Sequence, residues 1–318
     1  MNKFLSAILL LLFSLQLCAE RLSENRVIDF KNSNTHTLQY KHMLTNTGIL
    51  VDDNNIHKKT LLADRILSIF YNNTKNRNVC EDVPFIKQIA IGTCSGVLLK
   101  PNLVATAGHC VDKNIFSKTW FFNYQNGDNL ALKKGYKVQR VIFKNFELIR
   151  SGYSFERNTI NRQRQKIGVG PLPPDMHDYS NYRDIALLEL EAEVEGYIAF
   201  NINFTPFFSG RKAISVGYPL GLSLKQNTNG TLKEMASPYY MTTNIETLQG
   251  NSGGPLFDVE TGDLIAITVN QGFNSTFGLR KNERCYGFKP HLMVDKDVAH
   301  SSGHMTLAQV KQYIFDSP

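Results

Sequence analysis

The sequence predicts an all-β protein, and three observations carry that prediction. From Ile66 onward the chain is a succession of short apolar runs separated by polar turn residues. No long stretch before residue 300 shows a helical period. With 42% apolar residues, the 318-residue chain has the composition of an ordinary globular protein and can fill a sizeable core.

In chain order the runs are ILSIF, FIKQIAIG, CSGVLLK, LVATAGHCV, WFFNY, KVQRVIF, DIALLELE, KAISVGYP, GPLFDV and LIAITVN. Many short strands with turn chemistry between them read as a barrel or a sandwich. One helix is expected, at the C-terminus, where Leu307, Val310 and Ile314 in TLAQVKQYIF (306–315) recur at three- and four-residue spacing. A polar stretch between about 145 and 182, containing GPLPPD, reads as an insertion loop on a single unit.

Ahead of this body, residues 1–19 have the layout of a secretory signal. Lys3 supplies a positive start, Phe4 to Leu17 is mostly apolar, and Ala19 is a small residue at which a signal peptidase could cut. The run is too short for a comfortable membrane span, and no later segment is long and apolar enough. Leu17 stands where a lipoprotein signal before Cys18 normally has a small residue, so no stable membrane anchor is expected. Residues 20–65, rich in Asn, Thr, Lys and Asp, read as a propeptide or an N-terminal extension, which leaves 66–318 as the main domain.

Removing the signal takes away Cys18 and one charge, so the formal +7 becomes 7 − 1 = +6. Spread along the chain, that charge argues for solubility. The densest basic stretch, RNTINRQRQK (157–166), has no interleaved aromatics and reads as a solvated loop rather than a nucleic-acid site. Four cysteines remain, Cys80, Cys94, Cys110 and Cys285, enough for two disulfides in an exported chain among three pairings. The expected location is secreted or periplasmic. Sequons begin at Asn72, Asn203, Asn229 and Asn274.

The chemistry concentrates at GNSGGPLF (250–257). A serine hydroxyl is a weak nucleophile unless a base lies within hydrogen-bond reach and a carboxylate orients that base. Two scaffolds put glycines around such a serine. The G-x-S-x-G elbow of α/β-hydrolase esterases would draw its partners from Asp295 or Asp297 and His300 or His304, but it requires a helix directly after the serine. Here Pro255 to Val259, the turn ETGD and LIAITV read as two strands and a hairpin.

The other scaffold fits in three places. ATAGHC (105–110) resembles the histidine motif of trypsin-like serine proteases, RDIALLEL (183–190) its aspartate motif and GNSGGP its serine motif. They stand in that family's order, and Cys94 precedes Cys110 by the family's spacing. The resemblance spans about residues 66–315. It implies a chymotrypsin-like double β-barrel with a C-terminal helix, and a serine endopeptidase acting on protein or peptide substrates through an acyl-enzyme. On the matching positions Ser252 is the nucleophile, His109 the base, Asp184 its orienter, and the N–H groups of Gly250 and Ser252 the oxyanion hole. The resemblance also implies the disulfide Cys94–Cys110, which leaves Cys80 and Cys285 for the second. No cofactor is implied, and His291, His300 and His304 lack a ligand spacing, so no metal is expected. A non-catalytic binding protein on the same fold is the alternative.

Asn251, before the serine, is neutral and cannot receive a new N-terminal amine as an ion pair, which argues against activation by that switch. Together with SIFYNNTKNRNV and GTCSGVLLKPNLVATAGHCV it resembles the bacterial glutamyl endopeptidase group. For the primary pocket the resemblance nominates Glu246, six residues before the nucleophile, with Thr247. Thr268 stands where the glutamyl group has a histidine, a departure from the acidic-specificity pattern.

Overall fold

The structure is a computed structural model that describes residues 27–29, 38–70, 78–147, 183–204, 209–245, 247–270, 277–280, 284–288 and 302–316. The signal segment 1–19, the basic stretch 157–166, most of the insertion, Glu246, His291, Asp295, Asp297 and His300 lie outside these residues.

In chain order the elements begin with β1 (Val27–Asp29), α1 (Leu38–Thr45), β2 (Thr47–Asp52) and α2 (Leu62–Phe70). Then come β3 (Gly92–Lys100), β4 (Leu103–Thr106), β5 (Lys118–Phe122), β6 (Tyr136–Glu147) and β7 (Arg183–Leu190). Strands β2-β3-β4-β7-β6-β5 close into a six-stranded antiparallel barrel. The second half comprises β8 (Lys212–Gly217), β9 (Lys225–Ser237), β10 (Tyr240–Thr243), β11 (Pro255–Asp258) and β12 (Leu264–Asn270). It continues with the hairpin β13 (Phe277–Arg280) and β14 (Cys285–Phe288), then β15 (Ser302–Met305) and α3 (Lys311–Asp316). The order β8-β9-β10-β15-β12-β11 closes back on β8 as a second six-stranded ring, with β1 added on β9. The fold is the chymotrypsin-like double barrel with a short C-terminal helix.

Closure leaves each ring without a free edge, the physical reason that so many short strands can stand without aggregating. Register shifts at Val138/Arg140 and Val141/Phe143 bend β6 around β7. Strand β7 reads as a nearly unbroken apolar run because both its faces are covered: Ile185, Ala186, Leu187 and Leu188 are all fully buried. Its side chains share one apolar cluster with Met305, Leu307, Val310 and Ile314, so the barrels meet through a continuous core. The terminal positions expected to face inward, Leu307, Val310 and Ile314, do so. The segment holds them in two pieces, a 3₁₀ turn at Leu307–Val310 and then α3.

The N-terminal part departs from the sequence reading. Residues 20–65 contain β2, whose residues Thr47 to Val51 are buried and pair with β3 and β5. The first barrel therefore starts well before Ile66, and a cut near Ile66 would remove one of its six strands. ILSIF is helical rather than a strand: Leu62, Ile66 and Ile69 lie at helical spacing along α2 and pack against Val83, Ala90, Leu220 and Leu222. FIKQIAIG is a series of turns with a single bridge, Leu61 to Ile89, before β3. Two disulfides are present, Cys94–Cys110 within the first barrel and Cys80–Cys285 from the α2 region to β14. Among the described residues no helix is long and apolar enough to cross a membrane.

Candidate active site

His109 lies in a 3₁₀ turn, Gly108–Cys110, directly after β4. Gly108 permits the turn's close approach to the β6–β7 pair, because a Cβ there would come within 2.5 Å of Asn145 O. Asp184, the second residue of β7, is fully buried. Its Oδ1 accepts the His109 backbone N–H at 2.8 Å and its Oδ2 faces His109 Nδ1 at 2.7 Å. A carboxylate accepting at Nδ1 requires the proton there, which leaves the Nε2 lone pair available as a base. The imidazole is about one-third exposed, and the Phe146 ring lies 5.9 Å from it between centroids.

Ser252 is brought to the same place by its backbone. Its carbonyl accepts the Ser95 N–H at 2.8 Å and lies 3.7 Å from Cys110 Sγ, one residue from His109. The loop is organised by backbone bonds that fix each peptide plane in turn. Gln249 O accepts from Leu220 N–H (2.5 Å), Asn251 N–H donates to Leu248 O (3.0 Å) and Gly254 N–H to Asn251 O (2.8 Å). Gly253 N–H donates to Thr268 O at 2.7 Å.

In a trans peptide the N–H points opposite to its C=O. With Gln249 O and Asn251 O both held, the N–H groups of Gly250 and Ser252 face the other way, and neither donates to another described group. Two such amides flanking Asn251, with no acceptor among the described residues, can serve as a donor pair for an anionic oxygen. Gly250 takes φ +96, and a Cβ there would stand 2.6 Å from Tyr218 O, so only glycine fits. Gly253, at φ +84, would meet Ser95 O at 2.2 Å.

The turn that presents Leu220 N–H is itself fixed. Tyr218 is fully buried, burial pushes its phenol well above the ordinary range, and the neutral hydroxyl donates to Thr47 O (3.0 Å) while accepting Tyr124 N–H (3.2 Å). Burial likewise pushes Tyr124 up to about 12.

The nominated pocket residues are placed differently from the triad candidates. Thr247 is buried, its hydroxyl 2.8 Å from Ser302 Oγ and 3.3 Å from Asn270 O. Thr268 is buried with its Oγ 3.3 Å from His304 Nδ1. Both hydroxyls are thus engaged inside the second barrel. His304, proposed by sequence only for the esterase alternative, stands on β15 in that barrel's core, fully buried, with Nε2 2.9 Å from Thr243 Oγ. Burial pushes its pKa down to about 3. The esterase elbow itself fails, because β11 starts three residues after Ser252 where that fold needs a helix. Cys94, His109 and Cys110 cluster closely, but the two sulfurs are bonded to each other and offer a metal no thiolate.

Sequence reasoning missed Ser95, Tyr218 and Leu220. Their contributions are three backbone N–H groups and two hydroxyls, and residue type carries no signal for where a backbone group points.

Residues 94–267 match the trypsin-like peptidase domain family. No curated protein matches the chain. Among solved structures it is similar to neuropsin, a serine protease expressed in the limbic system of mouse brain, with TM-score 0.49 and 13% identity over 87% of this chain and 96% of that one. It is also similar to the inactive form of the Rv3671c protease, with TM-score 0.43 and 12% identity over 90% and 96%. The match of the family across both barrels, joined to the fold, makes the chain a member of the trypsin-like peptidase family.

Proposed function

We propose that the protein is a serine endopeptidase with Ser252 as nucleophile, His109 as general base and Asp184 as its orienter. The observation that carries this reading is His109 seated on the buried Asp184 beside a loop whose Gly250 and Ser252 amides donate to no described group. Ser252 Oγ attacks the scissile carbonyl as its proton passes to His109 Nε2, and the oxyanion sits on the Gly250 and Ser252 N–H groups. His109 then protonates the leaving amine, and a water activated by the same imidazole releases the acyl group. No step calls for a cofactor. Two disulfides and the N-terminal signal layout support a secreted or periplasmic enzyme. Within the family, Asn251 supports placement near the glutamyl endopeptidases, while Thr268 argues against copying their acidic preference.

Intact-mass analysis with a fluorophosphonate probe tests the reading. One adduct is expected on Ser252, absent in Ser252→Ala and His109→Ala, and Ser252→Ala should lose about a million-fold in turnover. Proteolysis that survives Ser252→Ala overturns the assignment. A peptide-library digest of the active protein reads the side-chain preference directly.

A further inference from the structure

We infer that Ser95 is a positioning residue for the oxyanion hole, an inference that rests on the protease reading above. Ser95 is fully buried on β3, in the first barrel, whereas the loop it holds belongs to the second. Its hydroxyl donates to Gly250 O at 2.7 Å and accepts the Tyr218 N–H at 2.9 Å. Its backbone N–H donates to Ser252 O at 2.8 Å, and its own carbonyl is held by Thr106 Oγ at 2.7 Å.

The two bonds of the hydroxyl bear on the Gly250 donor. The Tyr218 bond anchors the Tyr218–Gly221 turn, and that turn supplies the Leu220 N–H that fixes the Gln249–Gly250 peptide and so aims Gly250 N–H. The Gly250 O bond fixes the next peptide, already tied by Asn251 N–H to Leu248 O. One hydroxyl therefore ties together the two segments whose relative position sets the direction of Gly250 N–H. Glycine at 250 makes this tie necessary, because the residue with the loosest backbone stands where direction matters most. Ser95 also adjoins Cys94, whose disulfide partner Cys110 follows His109, so the base and the oxyanion donors are referenced to one strand.

A hydroxyl that only filled space could be deleted with a loss of stability and nothing more. A positioning hydroxyl loses something different: ground-state binding stays, while stabilisation of the tetrahedral oxygen falls. In Ser95→Ala, kcat on a peptide amide substrate should drop ten- to a hundredfold with KM within threefold. Affinity for a peptidyl trifluoromethyl ketone, which forms a tetrahedral oxyanion on Ser252, should fall in parallel with kcat/KM. Ser95→Thr, which keeps the hydroxyl, should recover most of the loss, and Ser95→Gly should behave as Ser95→Ala. Melting temperature is followed for every variant.

An active wild type with unchanged kcat in Ser95→Ala overturns the positioning role and leaves the protease reading intact. Loss of folding in both Ser95→Ala and Ser95→Gly makes the hydroxyl structural and overturns it equally. A wild type that neither cleaves peptides nor labels with fluorophosphonate overturns the protease reading, and this inference with it.

Discussion

His109 and His304 stand in contrasting surroundings. His109 is one-third exposed and rests on a buried carboxylate, whereas His304 is fully enclosed in the second barrel between two threonine hydroxyls. Neutral partners satisfy an imidazole's hydrogen bonds without stabilising its charge, and enclosure then penalises that charge. In the proposed mechanism the carboxylate facing Nδ1 is the partner the ring needs when Nε2 takes a proton. The pair contrasts a ring set on a buried carboxylate with a ring whose charge is penalised by burial.

The sharpest way to break the contrast is to remove the charge under His109. Asp184→Asn keeps the shape but presents an amide, which can pair with the wrong tautomer and turn the Nε2 lone pair into a donor. Turnover should fall about ten-thousand-fold with little change in KM. A drop below tenfold in steady-state assays would mean that the carboxylate does not set the tautomer.

The next effect is on stability and belongs to His304. Its pKa is lowered from 6.5 to about 3 in the folded protein, so the unfolded chain takes up a proton below about 6.5 that the folded one refuses until about 3. Its contribution is fully present above 6.5 and is lost on acidification, by about 1.4 kcal/mol per pH unit across that window. His42, lowered chiefly by burial, acts in the same direction. Urea unfolding of wild type and His304→Gln between pH 4 and 7 should give curves that converge as pH falls, because the variant has no such proton to refuse.

A smaller effect tests the serine side. Gly250→Ala forces a Cβ to within 2.6 Å of Tyr218 O at a positive φ. The peptide must shift, and kcat should fall a hundred- to a thousandfold through loss of one oxyanion donor. Equal activity in the alanine variant would place the oxyanion elsewhere.

The same two surroundings explain what the sequence could and could not reveal. The residues of the proposed triad, His109, Asp184 and Ser252, would act through their side chains, and each sits in a local pattern that nominates it. Barrel strands such as β4, β7 and β12 were legible because alternating or continuous apolar runs follow from burial. The elements before β3 were not. In α2 the apolar residues of ILSIF suit a strand as well as a helix, and Leu62 upstream is needed to extend the four-residue step from Ile66 over a second turn. Strand β2 was hidden in a polar stretch because TGILVD is only six residues long. The support of the proposed oxyanion hole was illegible for a different reason: Leu220 N–H and Gln249 O are backbone groups that any residue could supply. His304 drew notice only as a histidine near the C-terminus, since burial is a property of the ring of strands around it.

The finest test separates burial from hydrogen bonding as the cause of His304's behaviour. Thr243 Oγ lies 2.9 Å from His304 Nε2 and also accepts the Ile245 N–H at 3.2 Å. Thr243→Val keeps the volume and strands both groups in the core, which should lower stability by about 1–3 kcal/mol at neutral pH. The enclosure around the ring is unchanged, so the refusal of the proton should persist. Unfolding free energies for Thr243→Val and wild type should therefore run parallel from pH 7 to 4, displaced but with one slope. A flattened slope in the valine variant would mean that the threonine hydroxyl, rather than enclosure by the strands, keeps this histidine neutral.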